Sequence, residues 1–199
     1  MFYSNFSLST VLKQFNLTLK DHNNLFADIS EIEPSEILKI LLKENIPLAL
    51  SINTEKARSE MIITPILLEV RRQVNYRIGL FSGSEFNVAP EKGLNGICDF
   101  LISLSSENML IQSPVITIVE AKKEDIKLGF GQCIAEMLAA QLFNEQEENT
   151  IPIIYGVVTS GNIWRFLKLE HEIVYIDSVE YYINQINKIL GILISAVTR

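Results

Sequence analysis

The sequence predicts a mixed α/β fold in which helices flank one central mixed sheet, and three observations carry that prediction. A helix-period run over 54–76 gives way to short runs rich in β-branched and aromatic residues. Helical spacing returns over 130–143, and two strand-like runs joined by a four-residue turn come after it. At 199 residues, 48% hydrophobic and 21% charged, the chain can bury a real core and is neither disordered nor repetitive.

Residues 1–53 read as a helical extension to a core spanning 54–199. Pro34-Ser35 ahead of Glu36-Ile37-Leu38-Lys39-Ile40-Leu41-Leu42 is a helix start, and residues 7–15 suit a second short helix. Over 54–76, Ile63, Ile66 or Leu67, Val70 and Val74 form one apolar stripe. Pro65 inside that run predicts a kink or break, with Thr64 as a local cap. Runs at 86–88, 97–104 and 115–121 then predict an antiparallel meander, its turns marked by Gly93, Asn95, Gly96, Asn108 and Pro114. Phe130, Ile134, Met137 or Leu138, and Leu142 share a helical face. Residues 153–158, Thr159-Ser160-Gly161-Asn162 and 163–169 read as strand, turn and strand. Residues 173–176 suit a last strand and 178–197 a closing helix.

Composition excludes several classes of function. Cys98 and Cys133 cannot make a disulfide framework, and with only His22 and His171 there is no spaced zinc-ligand set. The opening Met-Phe-Tyr-Ser-Asn-Phe lacks the basic region of a secretory signal, and the apolar stretch 189–197 falls short of the roughly 20 residues a bilayer needs. A soluble, cytoplasmic protein without membrane contact is therefore expected. The net charge of -7 excludes a protein that grips nucleic acid with its whole surface, so a phosphate partner would meet a local patch or a metal ion.

The informative residues are Asp99, Glu120 and Lys122. Asp99 interrupts an apolar strand, where aspartate is disfavoured. In Val115-Ile116-Thr117-Ile118-Val119-Glu120-Ala121-Lys122, the two-residue period of a strand turns Glu120 and Lys122 to one face and Ala121 to the other. If the two strands are neighbours, two acids and a lysine converge at one end of the sheet. Two hard oxygen ligands with open water positions suit Mg²⁺. The plain alternative is a sheet-end ion pair of Glu120 with Lys122 or Lys123, with Asp99 capping a turn.

Asp99 followed by Glu120-Ala121-Lys122 resembles the PD-(D/E)XK nuclease superfamily, whose fold is restriction-endonuclease-like. The stretch from Tyr155-Gly156-Val157-Val158 through Thr159-Ser160-Gly161-Asn162 to Ile163-Trp164-Arg165-Phe166 is similar to the nuclease region of type I restriction enzyme R subunits. The likeness covers roughly 55–176. It implies that Asp99, Glu120 and the backbone carbonyl of Ala121 hold Mg²⁺ or Mn²⁺. It also implies that Lys122 orients or helps deprotonate the attacking water and offsets transition-state charge, and that Gln132 supports the site. The product class would be a 5′-phosphate and a 3′-hydroxyl. Two departures stand out: Cys98 occupies the motif's proline position, and Glu136 follows Gln132 where the relatives carry an aromatic residue. A glutamate from the first core helix often assists the metal in this superfamily. Here Glu60 is preferred over Glu69, which lies beyond Pro65, and over Glu55.

The resemblance thus implies a metal-dependent endodeoxyribonuclease acting on DNA, aided by a basic partner subunit given the acidic chain. The rival is an inactive member of the same fold serving as a binding or assembly module in a defence or mobile-element system. Lys123 and Lys127 are candidate phosphate contacts beside the metal. Arg71, Arg72 and Arg77 suit either a phosphate backbone or a helix end. Trp164 is expected in the core, and the apolar closing helix is either core or a homodimer surface.

Overall fold

The computed structural model describes residues 2–21, 24–122 and 125–198, with Ile118 described by its backbone only. The described residues form a mixed sheet of eight strands with helices on both faces. The helices are α1 (Leu8–Gln14), α2 (Glu36–Ile52), α3 (Glu55–Arg58), α4 (Thr64–Gln73), α5 (Ile126–Gln146) and α6 (Ile186–Val197). The strands are β1 (Thr18–Lys20), β2 (Gly79–Glu85), β3 (Ile97–Ser103), β4 (Val115–Ala121), β5 (Ile154–Thr159), β6 (Ile163–Glu170), β7 (Ile173–Ile176) and β8 (Tyr181–Tyr182). Their order is β1-β7-β6-β5-β4-β3-β2, with β8 beside β6. β4 runs parallel to β5 and β1 parallel to β7, and the remaining pairs are antiparallel.

Each face of the sheet has its own core. On one, Ile62, Ile66 and Leu67 join Leu38, Leu42, Ile189 and Leu193 over Phe100, Val119 and Phe166. On the other, Phe130, Ile134 and Met137 of α5, with Tyr3, Phe6 and Val11, cover Cys98, Leu101, Val158 and Leu167. Trp164 is fully buried, as expected.

The structure corrects several expectations. The first meander strand is 79–85 rather than 86–88: Gly79-Leu80-Phe81-Ser82-Gly83-Ser84-Glu85 lacks a β-branched residue, yet it pairs along the edge beside β3. Phe86 and Val88 instead enter a loop closed by an Ala89–Leu94 bridge. The 1–53 segment is not purely helical, since it supplies β1, and its apolar residues belong to both cores. The closing helix begins only at Ile186, after β8 and a 3₁₀ turn. Its apolar residues are core, so the homodimer surface read there is not exposed. The exposed apolar side chains lie elsewhere, as on α2 at Ile37, Ile40, Leu48 and Ile52.

Pro65 breaks the first core helix differently from a cap. Residues Ser59–Ile63 form a π-helical turn between α3 and α4, and the Thr64 hydroxyl donates to the Ser59 carbonyl (2.9 Å) rather than accepting a capping bond. Arg58 donates to the Ser160 carbonyl (3.0 Å), which ties α3 to the β5–β6 turn at the rim of the sheet.

Glu69 is a structural anchor. Its carboxylate accepts from the Ser35 backbone N–H and hydroxyl, both at 2.9 Å, from Gln73 at 2.9 Å and from Arg72 at 2.5 Å. Burial opposes its charge, but these donors outweigh it and hold the acid below its ordinary value. Glu69→Ala is expected to destabilise the fold by roughly 3 kcal/mol by stranding Arg72 and the start of α2, measurable by urea unfolding. A loss below about 1 kcal/mol would show the network to be dispensable.

Candidate active site

The site arises where β3 and β4 part company. Their ladder reaches Phe100–Val119, while β4 stays paired with β5 through Ala121–Thr159 and on to the Lys122 N–H, which donates to the Thr159 carbonyl (2.7 Å). The Ala121 N–H donates to Asp99 Oδ2 (2.8 Å) instead of to a β3 carbonyl. The aspartate that looked misplaced in a strand therefore closes the ladder where the strands splay.

Four of the sequence-predicted residues meet at this splay. Lys122 Nζ is ion-paired with Glu120 Oε1. Gln132 Nε2 of α5 donates to Glu120 Oε2 (2.9 Å) and to Glu136 Oε1 (3.0 Å), and Lys122 Nζ donates to Gln132 Oε1 (3.4 Å). Glu120 and Lys122 share a face while Ala121 packs in the opposite core, as the period-two reading requires. Gly129 makes room for the lysine: a Cβ there would lie 2.6 Å from Val158 Cγ1 and 3.1 Å from Lys122 Cγ. Sequence reasoning missed Gly129, because a glycine inside a helix carries no signal about what crosses it.

Electrostatics make the cluster a strained acid pair with one cation. Burial, and then the neighbouring Asp99, push Glu120 up to about 8, against the pull of Lys122. Burial also raises Asp99, while the Ala121 N–H, Lys122 and a hydrogen bond from Glu120 pull it back. Glu136, fully buried and facing Glu120, is pushed well above the carboxylate range, chiefly by burial. Burial works against the Lys122 charge, but Glu120 outweighs it and the amine is held above its ordinary value. Lys122 is thus an ammonium at neutral pH.

A pH effect on stability follows. Between about 4.5 and 8 the folded state keeps a proton on Glu120 that the unfolded chain has lost, so stability falls as pH rises through that window. The slope is at most about 1.4 kcal/mol per pH unit for one such group. Glu120→Gln, which imitates the protonated acid, should remove its share of the slope and leave that of Glu136, in urea unfolding measured from pH 5 to 9. A wild-type stability that stays level or rises across that range would contradict the assignment.

A cleft of about 280 Å³ opens onto Asp99 and Ala121 from the side of α3 and the π-helical turn, lined also by Glu55, Lys56, Glu60 and Thr64. Glu60 is half exposed and paired with Lys56 (2.7 Å). Glu55 is the helix glutamate whose charge reaches Glu120 and Lys122. Glu69 is turned away, toward Ser35. Lys127 is exposed in the first turn of α5, and Lys123 lies outside the described residues. Arg71 and Arg77 donate to the Ile78 and Val74 carbonyls and Arg72 serves Glu69, so all three arginines have structural partners.

No family model, curated protein or solved structure matches the chain. Its chemistry is read from the site alone. Among the described residues no three acidic, histidine or cysteine side chains form a cage for a cation. The neighbouring Asp99 and Glu120 carboxyls are both raised by burial, and Glu120 also by the charge of Asp99; this donor set fits a hard divalent ion that keeps most of its waters, because such an ion would offset their repulsion. No helix among the described residues is long and apolar enough to cross a membrane.

Proposed function

We propose that the chain is a Mg²⁺-dependent phosphodiester hydrolase acting on DNA, with Mn²⁺ as an alternative ion, built on a restriction-endonuclease-like core. The observation that carries this reading is the cluster at the splay of β3 and β4: buried Glu120 paired with the Lys122 ammonium, beside Asp99, which bonds the Ala121 N–H and lines a cleft. Asp99 and Glu120 would hold the ion, with the Ala121 carbonyl as a third donor. When bound, the ion would polarise a phosphate oxygen and acidify water.

The chain's own groups divide the remaining work. Lys122 Nζ keeps its proton, so it donates to developing negative charge and orients water rather than acting as the base. Gln132 fixes the Glu120 carboxyl through Oε2. Glu136 stays neutral and adds no further repulsion. The net charge of -7 leaves affinity for duplex DNA to a basic partner subunit.

One observation favours the rival reading of an inactive binding or assembly module: Lys122 and Gln132 already occupy both oxygens of Glu120. The test is cleavage of a panel of DNA and RNA substrates with Mg²⁺, Mn²⁺ or chelator, beside calorimetric titration of Mg²⁺. Metal-dependent cleavage, and weaker metal binding by Asp99→Asn, are expected. Absence of cleavage together with unchanged metal affinity in Asp99→Asn would leave the module.

A further inference from the structure

A second and larger cavity, of about 600 Å³, opens at the same rim of the sheet, on the face covered by α5. Its lining includes Phe2, Glu85, Asn87, Asn95, Ile97 and Gln132. Gln132 is the residue that bonds Glu120, and Ile97 lies two positions before Asp99, so this cavity and the metal site share a wall. Its chemistry is the reverse of a phosphate site. It holds no lysine or arginine, and its one charged side chain is the acid Glu85.

What it does offer is apolar surface and amides. Phe2 is 57% exposed and Ile97 60%, so the lining presents an aromatic ring and an aliphatic chain to solvent. The Asn95 side-chain oxygen is buried with no hydrogen-bond partner among the described residues. The Asn87 oxygen is already used by the Gly96 N–H (3.0 Å), which leaves its amide NH₂ as the donor. An exposed ring with two asparagine amides in the same lining suits a flat, neutral, hydrogen-bonding heterocycle.

We propose that this cavity takes one unpaired nucleobase of the strand whose phosphodiester lies against Asp99 and Glu120, with Phe2 stacking on the base and Asn95 and Asn87 meeting its edge. The proposal rests on the hydrolase reading and specifies its substrate as single-stranded or unpaired nucleic acid. A base within a duplex presents no face to such a cavity, and taking one in requires extrusion from the stack. Stacking also relieves an acidic protein of the need for many phosphate contacts.

The test is fluorescence anisotropy of the full chain, in chelator, with a dye-labelled oligonucleotide offered as a single strand and as a blunt duplex. The single strand should bind at least about tenfold more tightly. Phe2→Ala should weaken single-strand binding by roughly fivefold to a hundredfold, the range for removing one stacking partner, and leave duplex binding unmoved. Asn95→Ala supplies a second variant, should Phe2 be replaced in its role by Ile97. Equal affinity for the two forms, or single-strand affinity unchanged in both variants, overturns the proposal. Single-strand binding that depends on Phe2, without metal-dependent cleavage, keeps the cavity and removes the hydrolase. Cleavage indifferent to both variants does the opposite.

Discussion

Lys122→Ala lowers metal-dependent hydrolysis by at least about a hundredfold and leaves the protein folded: that is the expected result with the largest effect on activity. The amine is the only cation touching Glu120 among the described residues, and the acids around it, Glu120, Glu55 and Asp99, together hold it above its ordinary value. A fixed positive charge in a partly dehydrated site acts most strongly where negative charge develops, so its loss should fall on kcat rather than on KM. Folding survives because Glu120, already poised near 8, can answer the loss of its partner by staying protonated. Lys122→Met, which keeps the aliphatic chain against Gly129, separates lost charge from lost packing. Hydrolysis unchanged in both variants would place the reaction elsewhere or in a contaminant.

The largest effect on stability is expected at Gly131. A Cβ at this position would run into the backbone of the Phe6–Leu8 segment, touching the Phe6 carbonyl oxygen and the Ser7 carbonyl carbon, with Leu8 N at 2.7 Å. These are main-chain atoms and cannot rotate aside, so α1 and the 3₁₀ turn at Tyr3–Asn5 must lift from α5. Gly131→Ala should cost about 3 kcal/mol or more in chemical unfolding, although alanine is the better helix former. Retention of wild-type stability would mean that residues 3–14 do not dock as described. Because Phe2 and Tyr3 line the larger cavity, this variant should also bind single strands less tightly.

Much of this architecture was legible in the chain, and its gaps have physical reasons. The helix-period and strand-period runs located α5, β3 to β7 and the start of α2 because one period dominated each. The edge strand β2 was missed because serine and glycine fill an edge that packing does not select. Strand β1 was missed because Thr18-Leu19-Lys20 is too short for any period to show. At the site, alternation placed Glu120 and Lys122 together, and an acid within an apolar run flagged Asp99. Both Glu55 and Glu60 line the cleft, and the sequence sets Glu60 against Glu69 on the rotation of a straight helix. The π-helical turn changes the rotation between these residues, and no residue type announces such a turn. The protonation of Glu120 and Glu136 depends on burial by residues far away in sequence.

The parallel pairing of β1 with β7 bears on how the molecule comes into being. Thr18 aligns with Ile173, and the Leu25 N–H bonds Asp177 across 152 positions. On a ribosome, Thr18–Lys20 emerges long before the strand that will receive it, and it must wait with its ladder groups in water. Such distant closure slows assembly and leaves an early product with an open seam. A chain halted before residue 170 would carry the residues of β3, β4 and β5, acids included, but not the strand that receives Thr18–Lys20.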